Sequence, residues 1–434
     1  MDTPQNDQLQ PTSKTGERSG TVTTGSQNEG PPTDVISMPL PTARCHWLTP
    51  TRLKSYTTLI AVAVLFTYLF FVGRSVPRIL AGHTPYIDLV VFWVVAKNTL
   101  SGHAQDMYDL LKLHQQVLLV CPDEKKWQAW SYPPLFYLVI TPLGWLPYIW
   151  AYTLFMASTM GGFVRVLWMV FPGKWMLRVL LSSPAVWFNL FLGQNGFLTA
   201  FLAGAGLLAL HRQRPILAGL LIGLLTLKPQ LGILFPVALV ACRAWKTLLT
   251  ATITAIVGTW LAAQMLGVGL ISNFLRSVSV TRSFILENQG VWGNMPTVFA
   301  FLAQLGISLP MAYGVQAVFA LGTGIMVWNI WRSSAPADLR YAALMSGSLL
   351  VSPYVFDYDQ VWLAFPIAWL TKRGLDHGWN RWEREILVFA WACPILILLT
   401  SKVLHLQIGP LASIGLLWIV WQRHNDESLV TERN

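Results

Sequence analysis

Residues 215–242 read PILAGLLIGLLTLKPQLGILFPVALVAC. The only charge in the run is Lys228, and Pro229 follows it. Both arms, 215–227 and 229–242, are apolar around the whole helical repeat, the pattern of a helix buried on all sides or set in lipid. Pro229 cannot continue a helix begun before it, so the run reads as a hairpin. Basic residues flank it on both ends: Arg212 and Arg214 before, Arg243 and Lys246 after. Lys and Arg favour cytoplasmic loops. Both arms then cross the membrane and Lys228 sits at the outer turn.

The same marks extend along the chain. Arg332 to Arg340 and Lys372 to Arg384 read as further cytoplasmic loops. The implied spans are 57–73, 135–146, 148–166, 196–210, 215–227, 229–242, 247–266, 311–331, 340–354, 358–371, 385–401 and 406–421. That makes about twelve helices with both termini inside, several shorter than the ~20 residues a span normally needs. Such short runs either extend past these marks, tilt, or line a wet cavity. Two segments resist the scheme: 176–192, which reads as re-entrant or interfacial, and 294–306. Composition agrees with the class. Of 434 residues, 54% are hydrophobic and 12% charged, where a soluble domain carries roughly 25% charge. This excludes a soluble enzyme, a nucleic-acid reader and a disordered scaffold. The net charge of +10 reads as topology, not as a nucleic-acid partner. Cys45, Cys121, Cys242 and Cys393 have neither zinc-ligand spacing nor a disulfide pattern.

Residues 1–55 form a polar tail too poor in apolar residues to order itself. No apolar core within the first thirty residues marks a signal peptide. Arg44, Arg52 and Lys54 precede the first span and hold this end in the cytoplasm. The membrane domain is 56–422, and 423–434 is a second cytoplasmic tail. The long loops fall outside: 74–134, with helix-like stretches at 88–101 and 107–120, and 267–295. Elaborate loops on one face point to work done on that face.

Charge at a membrane edge is costly and functional by default. Asp88 precedes the apolar run Leu89 to Trp93. It reads either as a helix N-cap or as a general base in a partly apolar site. Asp123 and Glu124, beside Lys125 and Lys126, read as solvated surface charge. Lys228 reads either as a lysine snorkelling to the headgroups or as a cation for a phosphate. Gly193-Gln194-Asn195-Gly196 is a turn, or a pair of amides suited to sugar hydroxyls. Ser352 to Asp359 brings Asp357 and Asp359 together with Tyr354 and Tyr358 at another outer helix end. Ser131-Tyr132-Pro133-Pro134 reads as a stiff entry turn. The chain carries no phosphate-binding P-loop, no H-E-x-x-H and no G-x-S-x-G.

The order of these pieces resembles a known family. Asp88-Leu89-Val90-Val91-Phe92-Trp93 is followed by Leu100-Ser101-Gly102 and Met107-Tyr108-Asp109. Then come Tyr132-Pro133-Pro134 with Pro142-Leu143, Gly193-Gln194-Asn195, Arg214-Pro215 with Ala218-Gly219, and Lys228-Pro229-Gln230. Met295-Pro296-Thr297 and Ser352-Pro353-Tyr354 with Tyr358-Asp359 close the series. Together they are similar to glycosyltransferase family 87 of the GT-C superfamily, which includes polyprenyl-phosphomannose-dependent α-mannosyltransferases.

The resemblance implies a GT-C fold with a catalytic first outer loop, and transfer of a hexose, mannose in the family, from a polyprenyl monophosphate with inversion. It implies Asp88 as base, Lys228 as the donor-phosphate ligand with Arg282 or Arg276 assisting, and Gln194, Asn195, Tyr108, Asp109, Tyr358 and Asp359 around sugar or acceptor. The acceptor is expected to be a glycolipid or glycan on the outer leaflet of a bacterial cytoplasmic membrane. Membrane lipids are the remaining partners. No cofactor and no divalent metal are expected, because the lipid phosphate is itself the leaving group. The competing class is a polytopic transporter or lipid-linked sugar flippase. The polar tail and the loop 267–295 fit the family pattern poorly.

Overall fold

The structure is a computed structural model that describes residues 47–80, 87–122, 124–173, 177–179 and 182–433. The polar tail up to residue 46, with Cys45 and the basic residues before it, lies outside the described residues, as does Asp123. The helical unit is Pro50–Asn434. Its described residues contain helices and no strand.

Each of the twelve segments read as spans is helical. α1 (Pro50–Leu80) precedes the first loop, which carries α2 (Leu89–Leu100) and α3 (Leu110–Leu118). α4 (Pro134–Trp145) and α5 (Tyr148–Val170) follow. α6 (Pro184–Leu192) is the segment read as re-entrant, and nine residues cannot cross a bilayer. α7 (Gly196–His211), α8 (Pro215–Leu227) and α9 (Pro229–Ala241) lead into α10 (Trp245–Leu266). α11 (Gly269–Glu287), α12 (Val298–Gln304), α13 (Leu309–Arg332) and α14 (Ala337–Val351) come next, then α15 (Ala364–His377), α16 (Glu383–Val403) and α17 (Pro410–Arg433).

Proline stands in the first turn of α4, α6, α8 and α9, where its missing N–H is no loss. α14 is buried around nearly its whole circumference and forms the hub, packed by α13, α15 and α17. α10 and α13 do the opposite. They expose Leu249, Ile253, Ile256 and Trp260, and Val318, Leu321 and Ile325. Apolar faces of that extent belong in lipid. Among the described residues, five helices are long and apolar enough to cross a membrane unaided: α1, α5, α10, α13 and α16.

Several boundaries differ from the sequence reading: α1 begins at Pro50, inside the stretch 1–55 read as an unordered tail, and runs to Leu80, past the span end at 73. The stretch 267–295 is mostly helix. Leu270, Phe274, Ser277, Thr281 and Ile285 recur at helical spacing on the packed face of α11, while Arg276 and Val280 are exposed. A mixed polar and apolar pattern of this kind gives no continuous apolar run to detect. At the other end, residues 423–433 continue α17. Arg423 is buried there and gives Nε and Nη2 to the Glu383 carboxylate.

The first loop is folded into the bundle. Phe92 of α2 meets Trp130, Tyr132, Phe136 and Phe155 edge-on, at centroid distances of 5.3–6.1 Å. The Trp93 indole donates to the Leu146 carbonyl at 2.8 Å. This aromatic seat fixes the start of α2, and with it Asp88.

Candidate active site

Asp88 stands at the N-cap position of α2 but does not cap it. Its backbone is already helical, φ −57° and ψ −26°, and its side chain makes no capping bond. A capping residue needs non-helical, typically extended, backbone to turn its oxygen onto the following N–H groups. The Asp88 carboxylate turns to two neutral amides instead. Gln128 Nε2 donates to Oδ1 at 2.8 Å and Gln194 Nε2 donates to Oδ2 at 2.8 Å. Burial raises the Asp88 pKa; the Gln194 and Gln128 bonds and the Lys126 charge oppose it, and Glu124 adds to it.

The turn after α6 explains how Gln194 arrives. Gly193 has φ +66° and lies against the start of α2, where a Cβ would meet Leu89 Cβ at 2.8 Å. Only glycine tolerates both the left-handed backbone and that approach. The next residue then reaches Asp88, the neighbour of Leu89. On the other side of the turn, a Cβ on Gly196 would meet the Tyr358 carbonyl at 2.6 Å. The Gly-Gln-Asn-Gly turn is thus clamped between α2 and the segment 357–363.

That segment holds the second charged feature. Lys228 adopts φ −143° and ψ 74° at the break that Pro229 imposes. Its Nζ donates to Asp359 Oδ1 at 2.6 Å and Oδ2 at 2.8 Å, and sits 4.4 Å from the Tyr358 ring centroid. Asp359 Oδ2 also accepts the Phe356 N–H at 3.1 Å. Lys228 is 2% exposed and Asp359 0%. The snorkelling alternative is therefore overturned: the carboxylate across the bundle holds this ammonium in the interior.

Asp88, Gln194, Lys228, Tyr358 and Arg282 all line one cavity of about 1840 Å³. Arg282 projects from α11, with its guanidinium 5.6 Å from the Tyr313 ring centroid. The Tyr313 and Tyr354 hydroxyls are 2.6 Å apart. Among the described residues no carboxylate forms an ion pair with Arg282. Helical stripes complete the walls: Ile60, Val64 and Tyr68 of α1, Ile149 and Tyr152 of α5, Trp187 and Phe191 of α6, and Trp391, Ile395 and Leu398 of α16. Tyr68 meets Trp187 and Phe191 at 5.9 and 5.5 Å.

Other residues read as donor-phosphate, sugar or acceptor contacts are elsewhere. Tyr108 is buried and donates its hydroxyl to the Tyr132 carbonyl at 2.8 Å. It fixes a cavity wall from behind. Asp109 is the true helix cap of the first loop, accepting from the Leu111 and Lys112 N–H groups at 2.9 and 3.0 Å. Asn195 is fully buried behind the lining. Asp359 is withdrawn onto Lys228. Arg276 is exposed away from the cavity. The sequence reading missed Gln128, for which Trp127-Gln128-Ala129-Trp130 gives only the hint of a polar residue between two aromatics in a loop. It also took Tyr132 as part of an entry turn, whereas Tyr132 lines the cavity.

Comparison with curated proteins and with solved structures gives no match. Residues 130–353, slightly over half of the chain, match the family model of glycosyltransferase family 87. The match takes in Tyr132, Gln194, Lys228 and Arg282 and stops just short of Tyr358. The chain therefore belongs to glycosyltransferase family 87 and is a membrane glycosyltransferase.

Proposed function

We propose that the protein transfers a hexose, mannose by family resemblance, from a polyprenyl monophosphate to a hydroxyl of a glycolipid or glycan, with inversion. One observation carries this reading: a carboxylate held by neutral dipoles and a buried lysine open into the same large cavity, whose other walls are apolar helical stripes. A lipid-linked sugar has these parts, a chain for the stripes and a polar head for the charged end. At about 1840 Å³, the cavity exceeds the ~300–1,000 Å³ of ordinary small-molecule sites.

In this reading Asp88 accepts the acceptor hydroxyl proton. The freed oxygen attacks the anomeric carbon on the face opposite the phosphate. The bond from that carbon to the phosphate oxygen breaks, and its electron pair leaves with the polyprenyl phosphate. One negative charge passes from Asp88 to the phosphate, so the phosphate end needs cations as charge develops. Lys228 supplies a donor already held by Asp359. Arg282, which has no carboxylate partner among the described residues, supplies the net charge. The segment 354–359 touches both. Basic loops at the other ends of the helices favour the outer face of a bacterial cytoplasmic membrane as the working side.

The test is incubation of purified protein with radiolabelled polyprenyl-phosphomannose and a membrane-lipid extract, wild type beside Asp88→Asn. Label in a lipid or glycan product from wild type alone is expected. Absence of turnover with every polyprenyl-phosphate sugar tried would remove the donor assignment.

A further inference from the structure

We infer that Gln128 is a positioning residue that, together with Gln194, aims the Asp88 carboxylate into the cavity and keeps it ionised. The inference rests on the proposed role of Asp88 as base. The two amides come from unrelated parts of the chain, the loop before α4 and the turn after α6, and each takes a different carboxylate oxygen at 2.8 Å. A carboxylate bonded on both oxygens loses its freedom to rotate about its Cβ–Cγ bond. Its remaining lone pairs then point in fixed directions, as presentation to an acceptor hydroxyl in the cavity requires.

The two amides also set the charge state. Asp88 is partly buried, and burial favours the neutral acid. A neutral acid cannot take a proton. Gln128 and Gln194 donate to the charged form and oppose this without a counter-ion. A lysine in place of either would lower the basicity further and leave a neutral pair, as Lys228 does with Asp359. The other groups facing Asp88 are Lys126 and Glu124 of the same loop, Tyr132, Tyr148 of α5 and Tyr358. Lys126 and Glu124 act in opposite directions, which leaves the amides as the main support of the ionised form.

The loop that delivers Gln128 is itself well seated. Trp127 stacks on His114 at 4.0 Å, Trp130 is buried in the Phe92 cluster, and the Ser131 hydroxyl bonds that of Thr281 on α11. Gln128 is therefore held on both sides, as a positioning residue must be.

The experiment compares wild type with Gln128→Leu, which keeps the volume and removes the donor, and Gln128→Glu, which sets a second carboxylate against the first. Two readouts are taken across pH. The first is kcat/KM with a polyprenyl-phosphate hexose. The second is modification of Asp88 by a hydrophobic carbodiimide, which attacks the protonated carboxyl, followed by peptide mass spectrometry. One hydrogen bond to a charged group lost from a partly buried site moves its titration by about one pH unit. Loss of the bond raises the pKa, so the acid limb of kcat/KM moves to higher pH. Gln128→Leu is expected to be about tenfold slower on that limb, to approach wild type as pH rises, and to leave the donor KM within about threefold. The carbodiimide midpoint moves upward with it, and further in Gln128→Glu. An unmoved midpoint, or a loss equal at every pH, overturns the inference. A shifted midpoint in a protein that turns over no polyprenyl-phosphate sugar sustains the role of Gln128 in setting Asp88 and rejects the donor instead.

Discussion

Two aspartates head two helices of the first loop, and they are put to opposite uses. Asp109 has extended backbone, φ −82° and ψ 119°, and its carboxylate closes the first turn of α3. Asp88 has helical backbone, leaves α2 uncapped and accepts on both oxygens from glutamines distant in sequence. In the sequence both are an aspartate before a leucine that opens a helix. The difference is about 145° of ψ, imposed on Asp88 by the aromatic seat of α2 and the close approach of Gly193. A cap stabilises its helix by about 1 kcal/mol. α2 forgoes that, and the carboxylate remains available in the wall of the cavity.

The largest effect expected from this contrast is at Asp88 itself. Asp88→Asn retains the shape and removes the base. Turnover falls about 10²–10⁴-fold, while thermal unfolding in detergent stays within a few degrees of wild type, because no capping bond is lost. A folded Asp88→Asn protein with near wild-type turnover would assign the proton transfer to another group.

A third carboxylate sharpens the comparison. Asp359 closes the first turn of 357–363 through the Phe356 N–H, but its main partner is Lys228, which it neutralises. Removing one partner of a buried pair strands the other, at a cost of about 3–5 kcal/mol. Asp359→Ala and Lys228→Met are each expected to lose that much stability in denaturant unfolding. Lys228→Met with Asp359→Leu should recover most of it, since an apolar pair of similar volume is often as stable. If Lys228 also serves the donor phosphate, the double variant folds and stays slow. Full recovery of turnover would make the pair purely structural.

Gly193 tests what pulls Asp88 away from its helix. Gly193→Ala must adopt φ +66° and press on Leu89. A loss of roughly 1–3 kcal/mol is expected, with a slower enzyme because Gln194 retreats from Asp88. Stability loss with unchanged turnover would separate the turn from the site.

The legible part of this molecule was the part set by local pattern. Lys228 between two apolar arms and Pro229 after it fix a helix break that the structure keeps, and apolar runs mark every helix from α4 to α17 except α6, α11 and α12. Asp88 and Lys228 stood out because a charge beside an apolar run is costly. Their partners did not. Gln128 lies 40 residues from Asp88, Gln194 lies 106, and Asp359 lies 131 from Lys228. Nothing in a single glutamine signals which carboxylate it will meet. Short-range pattern also misled at Tyr108-Asp109. There Tyr-Asp is a buried prop followed by a cap, and both face away from the cavity. α11 escaped notice because its face alternates with polar residues at helical spacing, and only its packing against the first loop reveals which face is which.

The smallest effect is expected at the other aspartate, and its smallness is the point. Asp109 accepts two backbone N–H groups at an exposed helix start. Asp109→Ala leaves those groups to water and should cost about 1 kcal/mol. Asp109→Asn, also a good cap, should cost only a few tenths. Neither change reaches the cavity, so kcat and donor KM should match wild type at every pH, unlike those of the variants at Gln128. The Asp109→Ala loss can be read as a fall of a few degrees in Tm, since about 1 kcal/mol is enough for that. A fall in kcat/KM at Asp109→Asn, which preserves the cap and removes only the charge, would show that this aspartate acts on substrate through a surface away from the cavity. Its charge and that of Asp88 would then be working parts of one site, and the contrast in backbone angle would no longer divide structure from chemistry.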